Sequence, residues 1–247
     1  MDLIAVCPPE YSPEAASYGF TVAHACYSLE EGELNILKGA DPKGGIMLIG
    51  SMSISEFEFT QKLFNCITDE CKRRRFSGVF FDISKIRHIK PELFAESGIK
   101  LYLPDRFLDG AVTVVSSAIS GGNFETHLRS TIKAGSSDNI ALGLEFTRMD
   151  FTLPEKSGCG QELSRNELNS LFAEKRGRSF FSEELCSFYF RYSAGGKNHM
   201  VLFNNEHSLK RKLTIAEKLG FSTAFFYYPE FRSMKSIVKY QRARPCE

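Results

Sequence analysis

The sequence predicts an α/β fold, a (β/α)8 TIM barrel formed by a single domain over residues 1–247. Three observations lead to this fold class. Short runs rich in Val, Ile, Leu and Phe alternate with helical segments along the chain. Most of these runs are continuously apolar, which is typical of parallel strands that are covered on both faces. The length of 247 residues suits one barrel of this kind.

Eight of the apolar runs are predicted as the barrel strands. In chain order they are Leu3–Cys7, Phe20–Ala25, Gly45–Gly50, Gly78–Ser84, Ala111–Ser117, Ile140–Phe146, Met200–Asn204 and Ser222–Tyr227. The alternation of strand and helix is weakest in the first fifty residues, where helices are hard to place. Even so, eight strands that alternate with helices favour a closed barrel over an open doubly wound sheet.

Helices are predicted between the strands from their periodicity and their terminal signals. They are Ser55–Arg74, Asn123–Ala134, Ser164–Lys175 and Ser208–Leu219. The first begins with the capping box Ser55 and Glu58, and the third with Ser164 and Glu167. Glycines follow the ends of the third and fourth helices, as expected at helix C-termini.

One further run departs from the barrel rhythm. Ser187–Ser193 predicts an extra strand, and the glycine-rich turn AGGKN joins it to the next strand. The sequence therefore predicts a small β-hairpin extension that stands on the barrel before strand seven.

Composition narrows the classes of function. The formal net charge of +1 gives no overall field that would attract nucleic acid or an anionic membrane. The basic run Lys72–Arg75 is interpreted as the end of a helix. The N-terminus has an acid at position 2 and no basic region, so no signal peptide and a cytoplasmic location are predicted, with export by a non-classical route left open. Seven scattered cysteines favour a reducing compartment, and neither a metal site nor a cofactor is predicted.

The fourth predicted strand carries a carboxylate, Asp82. Because side chains alternate across a strand, Phe80, Asp82 and Ser84 share the face that points into the barrel. Asp82 and Ser84 then lie near the C-terminal mouth, where the active sites of such barrels are built. A carboxylate there is either functional or a structural hydrogen-bonding residue, because burial without a partner is costly.

This strand resembles a motif of glycoside hydrolase family 18, the chitinase-type barrels. The motif is D-G-x-D-x-D-x-E at the end of strand four. Gly78 matches the glycine and Asp82 matches the last aspartate, whereas Ser77, Phe80 and Ser84 replace the other two aspartates and the glutamate.

A second stretch, FRYSAGGKNHMVLFNNEHSLKRKLTIAEKLGF, resembles the late part of the spore-cortex and peptidoglycan-directed members of this family. Asn204 and Asn205 stand where those members carry an acidic pair. The matching positions are His199, Phe203, Asn205, Ser208, Lys212, Ala216 and Gly220.

The resemblance implies substrate-assisted hydrolysis of amino-sugar glycans, in which the acetamido oxygen of the substrate attacks the anomeric carbon. Asp82 would orient the acetamido group. Ser84 stands at the position of the general acid, and a serine hydroxyl does not serve as an acid near neutral pH. Losing such a group costs on the order of 10²–10⁴ in rate, so absent or weak hydrolysis is predicted.

Other residues are candidates for a relocated acid or for glycan contacts. Glu145 lies late in the sixth predicted strand and Glu230 just past the eighth, and either could form a carboxylate pair with Asp82. The alternative roles are an interior hydrogen-bonding residue for Glu145 and a solvated loop residue for Glu230. Glu230 is the better candidate for the acid, because it lies beside the tyrosines of YYPE. Ligand contacts are predicted from Phe80, Ser84 and Tyr227, and from the amides of Asn204 and Asn205.

Three hypotheses follow for the function. The leading one is a family-18-like barrel that binds a chitin- or peptidoglycan-type oligosaccharide and hydrolyses it weakly or not at all. The second is an active glycoside hydrolase with a relocated acid. The third is a non-catalytic structural or interaction module of a cell-wall, spore or prophage assembly. Oligomeric state and glycan linkage stay open.

Overall fold

The computed structural model describes residues 1–50, 57–83, 86–105, 108–134, 139–154, 160–175 and 178–234. These residues fall into two compact units. The first is made of Met1–Ser116, Ile132–Gly143 and Gly220–Glu247, and the second of Ser117–Thr131 and Leu144–Leu219. The single domain expected over the whole chain stays a prediction.

The elements follow one another in this order. They are β1 (Asp2–Cys7), a 3₁₀ turn (Pro9–Tyr11), α1 (Ser12–Ser17), β2 (Thr21–Glu30), β3 (Glu33–Ile36), β4 (Ile46–Gly50), β5 (Phe57–Glu58), α2 (Gln61–Arg74), β6 (Gly78–Asp82), β7 (Ile86–Arg87), α3 (Pro91–Glu96), β8 (Lys100–Pro104), β9 (Ala111–Ser116), α4 (Phe124–Ala134), β10 (Ile140–Leu144), β11 (Arg148–Leu153), β12 (Gln161–Glu162), α5 (Arg165–Glu174), β13 (Phe180–Ser182), β14 (Ser187–Ala194), β15 (Lys197–Phe203), α6 (Glu206–Lys218), β16 (Thr223–Tyr227) and α7 (Tyr228–Phe231).

Eight parallel strands of the first unit close into a barrel. Their order is β1, β16, β10, β9, β8, β6, β4 and β2, and β2 pairs back onto β1. In β1, Ile4 is opposite Phe225 of β16 on one side and Thr21 of β2 on the other. The predicted (β/α)8 TIM barrel is confirmed.

The identity of two strands differs from the prediction. β8 is the fifth barrel strand and was not predicted, because KLYLP is short and ends in proline. Met200–Asn204, predicted as strand seven, lies outside the barrel, because β15 pairs antiparallel with β11 and β14. The seventh and eighth barrel strands are therefore β10 and β16.

The barrel strands separate two apolar cores by the alternation of their side chains. The interior is filled by residues such as Ile4, Phe80, Tyr102, Val114 and Phe225. The outer core, by contrast, contains the neighbours of opposite parity together with residues of α2 and α3; among them are Val79, Phe81, Leu101, Ile67 and Phe94. The predicted inward face of the fourth strand is thus correct.

Helix α2 begins later than predicted. Thr60 is its N-cap, since the Thr60 hydroxyl accepts a hydrogen bond from the Leu63 N–H at 3.2 Å. The expected capping box fails because Glu58 belongs to β5, and Ser55 lies outside the described residues. At its other end, Arg75 has a left-handed φ of 61° and the basic run occupies the last turn, as predicted.

The second unit contains a five-stranded antiparallel sheet in the order β12, β11, β15, β14 and β13. Its β14–β15 pair is the predicted hairpin, turned at Gly195 and Gly196, which both have positive φ. The hairpin follows the seventh barrel strand instead of preceding it. Ser164 and Glu167 form the predicted capping box at the start of α5. Among the described residues, no helix has the length and apolar character needed to cross a lipid bilayer.

Candidate functional site

Asp82 is the last residue of β6, the fourth barrel strand. It shares its face with Phe80, whose ring lies in the barrel interior. Part of the Asp82 side chain is exposed, yet surrounding protein atoms still raise the pKa of its carboxyl group by desolvation. The structure therefore places this carboxylate at the C-terminal end of the barrel, as the sequence predicts, while its role stays a prediction. Ser84 lies outside the described residues.

The interior beneath Asp82 is aromatic. The ring of Phe225 lies 4.9 Å from that of Phe80 and 5.0 Å from that of Tyr102, measured between centroids. Phe80 is only 7% exposed. Its ring is therefore mainly core filling, the alternative to the predicted ligand contact, and it offers little surface to a sugar.

Gly78 opens the same strand and has a packing reason to be glycine. A Cβ at this position would lie 2.9 Å from the Lys100 carbonyl oxygen and 3.0 Å from Cε2 of Tyr102. Such distances are shorter than van der Waals contact allows. One of the two residues that match the motif is thus explained by the close approach of β8 to β6.

Tyr227 ends the eighth strand on the interior face and is 47% exposed. Burial raises the pKa of its hydroxyl, and the nearby carboxylates of Glu10 and Glu230 raise it further. Tyr228 points the other way and is buried at 1% exposure. Glu230 lies in α7 and is half-buried. Tyr227 and Glu230 are therefore neighbours on the barrel unit, which also carries Asp82.

Glu145 belongs to the second unit and directly follows β10. Its side chain is exposed and lines a cavity of about 290 Å³ together with Phe146, Arg148, Phe151 and Glu162. The guanidinium of Arg148 is buried against the wall, because its Nε donates to the Leu163 carbonyl at 2.9 Å and its Cζ lies 4.8 Å from the Phe146 ring centroid. The cavity combines carboxylates with apolar and aromatic walls, as small-molecule sites do.

The backbone of Glu145 is held from both sides. Its N–H donates to the Ser117 hydroxyl at 2.9 Å, and its carbonyl accepts from Nδ2 of Asn204 at 3.3 Å. The Oδ1 of Asn204 accepts from the hydroxyls of Ser187 at 2.9 Å and Ser208 at 3.2 Å. These bonds fix the point from which the Glu145 side chain enters the cavity.

The glycan contacts predicted for Asn204 and Asn205 stay predictions, and the structure gives both amides local hydrogen bonds. Asn204 is 2% exposed, and its amide is engaged in the network around Glu145. Asn205 is the N-cap of α6 and exchanges hydrogen bonds with Ser208 in a capping box. Both amides therefore serve the second unit structurally, because the segment between a strand and a helix needs such side chains to satisfy backbone groups.

Lys212 is a residue of this region to which the sequence analysis gave no role. It is 0% exposed, its Nζ donates to the Ser117 carbonyl at 2.8 Å, and it lies 5.3 Å from the Phe124 ring centroid. Burial lowers the pKa of this lysine to about 8. The signal in the sequence was a lysine on the apolar face of a helix, in register with Leu209 and Ala216.

A larger cavity of about 440 Å³ lies on the outer face of the barrel, between α1, β2 and the segment before β4. His24 lines it, with Nδ1 3.4 Å from the Ser12 hydroxyl, and burial lowers the pKa of its ring. The interior core contains Ala23 and Ala25, so His24 faces outward. No motif in the sequence pointed to this cavity.

Solved structures of similar fold include glycosidases. A family 18 N-acetylglucosaminidase from Paenibacillus barengoltzii aligns with a TM-score of 0.67 at 11% identity, over 96% of this chain and 99% of that one. The spore cortex-lytic enzyme SleL from Bacillus megaterium gives 0.61 at 14% identity, over 92% and 70%. A mutant class V chitinase from Nicotiana tobaccum in complex with NAG4 gives 0.62 at 10%, over 98% of both chains.

This chain shares its (β/α)8 barrel fold with glycoside hydrolases of family 18. The resemblance stated from the sequence is confirmed at the level of the fold. No family model and no curated protein matches the sequence. Within this barrel, Asp82 ends the fourth strand, the position to which the motif assigned it.

Proposed function

We propose that this chain binds an amino-sugar glycan of the chitin or peptidoglycan type and hydrolyses it weakly or not at all. One observation carries the proposal. Asp82 stands at the end of the fourth strand of a family 18 fold, while the acid position two residues later is occupied by Ser84. The similarity to a chitinase solved with NAG4 and to a spore cortex-lytic enzyme supports a glycan as the ligand.

Asp82 would act as a hydrogen-bond acceptor in this proposal. Its carboxylate would receive the acetamido N–H or a hydroxyl of the sugar, a bond that is strengthened by the charge of the acceptor. Tyr227, exposed at the end of the eighth strand, offers an aromatic face for a sugar ring. Sites that join an aromatic face to a few polar groups are typical for such ligands.

Calorimetric titration with N-acetylglucosamine oligomers and muropeptide fragments tests the binding. Asp82→Asn is expected to weaken the affinity roughly tenfold, because a charged acceptor is lost. Asp69→Asn changes an exposed carboxylate on α2 and serves as the matched control. The proposal fails if neither ligand class binds, or if both variants bind like the wild type.

The predicted loss of hydrolysis has its own test. Ser84→Glu would return a carboxylic acid to the acid position. Release of reducing ends from the oligomers is expected to rise by about two orders of magnitude or more over the wild type, given the usual contribution of a general acid. Ser84→Gln, of similar size and without an acid, is the control. Equal rates for the two variants would contradict the assignment.

A second candidate function is hydrolysis with a relocated acid. The observation in its favour is the position of Glu145, exposed in a cavity with its backbone fixed at both ends. Wild-type turnover of the oligomers that disappears in Glu145→Gln and persists in Glu230→Gln would support it. Turnover that disappears only in Glu230→Gln would assign the acid to α7 instead.

A further inference from the structure

Lys212 occupies a position where a charge is costly. It lies on the apolar face of α6 beside Leu209, Leu213 and Ala216, and like them it is buried. An ammonium group removed from water is tolerated only where it finds hydrogen bonds and a compensating charge. The contacts of Lys212 therefore identify what it serves.

The direct contacts of Lys212 are neutral. Its Nζ donates to the Ser117 carbonyl at 2.8 Å, and the face of Phe124 lies 5.3 Å away. Two titratable groups act on it electrostatically, the Glu145 carboxylate and the Cys186 thiol. Burial raises the pKa of Cys186, so that this thiol is neutral near pH 7. Among the described residues that act on Lys212, Glu145 then supplies the negative charge.

Ser117 connects the two residues. Its carbonyl accepts from Lys212, and its hydroxyl accepts from the Glu145 N–H at 2.9 Å. Ser117 therefore links the side chain of Lys212 to the backbone of Glu145. Asn204 holds the other side of the Glu145 peptide at 3.3 Å. A side chain whose backbone is fixed in this way loses less conformational freedom when it binds a ligand.

We propose that Lys212 is a positioning residue for Glu145, which it anchors through Ser117 and whose carboxylate its positive charge attracts. The Glu145 side chain is thereby presented as an acceptor to the cavity of about 290 Å³ from a backbone that is fixed. That this acceptor receives a hydroxyl or amide N–H of a sugar rests on the proposed function.

A change of pH separates the two parts of this role, the hydrogen bond to Ser117 and the attraction of the Glu145 carboxylate. The ammonium of Lys212 is present at pH 7 and is lost as the pH rises through its pKa of about 8. The neutral amine still donates a hydrogen bond to Ser117, so the anchor persists while the charge disappears. Among the described residues, the titratable groups that act on it are Glu145 and Cys186.

The first experiment needs no glycan. The side chain of Lys212 is followed by NMR of ¹³Cε during a pH titration of the full chain. Its pKa is expected to lie near 8 in the wild type and to fall in Glu145→Gln, because the attracting carboxylate is removed. Glu162→Gln removes another carboxylate of the same cavity and is expected to leave the pKa in place. If Glu145→Gln does not move the Lys212 pKa, the electrostatic link is refuted.

The second experiment measures glycan affinity by calorimetry at pH 7 and pH 9 with an N-acetylglucosamine tetramer. The wild-type affinity is expected to fall roughly fivefold between these pH values as the charge is lost. Lys212→Met is expected to bind roughly tenfold more weakly at pH 7 with a flat profile, and Lys212→Arg to keep binding at pH 9. Thermal melts report whether each variant folds.

The outcomes distinguish the two proposals. No binding by the wild type overturns the proposed function, whereas the NMR titration still decides the role of Lys212. Wild-type affinity and an unchanged pH profile in folded Lys212→Met overturn the positioning role. The titration of Glu145→Gln keeps the native lysine in place, so its result does not depend on the folding of the lysine variants.

Discussion

The carboxyl group of Asp82 is partly exposed and is still surrounded by enough protein to disfavour its charge. Its pKa is raised above the ordinary aspartate value by desolvation. In the proposed function the Asp82 carboxylate must be ionised to accept a hydrogen bond from the glycan, so this shift would set the acid limit of binding.

Glycan affinity is therefore expected to fall as the pH drops through the raised pKa of Asp82. The loss should begin at a higher pH than an ordinary aspartate, with a value near 3.9, would give. Calorimetric titrations between pH 7 and pH 4 measure the profile. An affinity that stays constant down to pH 4 would show that the Asp82 carboxylate takes no part in binding.

Gly78 gives a prediction on stability. Gly78→Ala places a methyl group 2.9 Å from a backbone oxygen of β8, so the strands must move apart. The cost is expected to be about 1–3 kcal/mol in the free energy of unfolding, as for other overpacked sites. Gly121→Ala is the control, since no heavy atom lies within 4 Å of its added Cβ. Urea denaturation compares the two, and equal stabilities would contradict the packing explanation.

At the scale of elements, the end of α2 shows how burial changes the value of an ion pair. Glu70 binds two consecutive arginines. Arg73 is 63% exposed in its side chain, whereas Arg74 is 9% exposed and also binds Asp41 at 2.7 Å. Arg74 therefore links the segment before β4 to α2, whereas Arg73 binds Glu70 from the surface.

Arg74→Ala is expected to destabilise the fold by about 3 kcal/mol or more, because it leaves Glu70 half-buried without this partner. Arg73→Ala removes a partner of the same carboxylate from the surface and should cost less than about 1 kcal/mol. Chemical denaturation of both variants measures the difference. Equal losses would mean that burial does not decide the contribution of these pairs.

The elements also show where sequence reasoning succeeds. Continuous apolar runs predicted seven of the eight barrel strands, because parallel strands covered on both faces have that composition. β8 escaped because it is short and ends at Pro104, and β15 was misassigned because an apolar run does not reveal its pairing partner. Antiparallel pairing between β11 and β15 joins segments about fifty residues apart, which no local pattern encodes.

The candidate site was likewise predicted only in part from the sequence. Alternation along the fourth strand placed Asp82 correctly. The structural hydrogen bonds of Asn204 and Asn205 were not predicted, because amides that cap a helix or satisfy a buried backbone group look in sequence like amides that bind a ligand. Lys212 gained a role only when its distance to Ser117 was known.

At the scale of the whole molecule, buried cysteines shape the response to alkaline pH. Burial raises the pKa of Cys7 and of Cys71 to about 12. Between the unfolded value of about 8.5 and this value, the unfolded chain binds fewer protons than the folded chain. The contribution of these thiols to stability is thus present below pH 8 and is lost as the pH rises. Burial lowers the pKa of Lys212, so this residue makes the stability rise with pH over part of the same range. The effect of the thiols is therefore measured as a difference between variants.

Cys71→Ala is expected to lower the stability at pH 7 and to reduce the further loss between pH 8 and pH 10.5. Urea denaturation at the two pH values measures both effects. Cys66→Ala, at an exposed position on the same helix, is the matched control. An unchanged alkaline slope in Cys71→Ala would show that this thiol does not set it.

The pairing of β16 with both β1 and β10 has a consequence for biosynthesis. The ribosome makes Asp2–Cys7 before the second unit, and Thr223–Tyr227 only after the whole second unit has been made. Until β16 has been made, the edges of β1 and β10 remain unpaired. Such open strand edges are templates for aggregation. Closure of this barrel therefore waits until β16 has been made, and nascent chains that stall before residue 223 are the form in which these edges are most in need of chaperones.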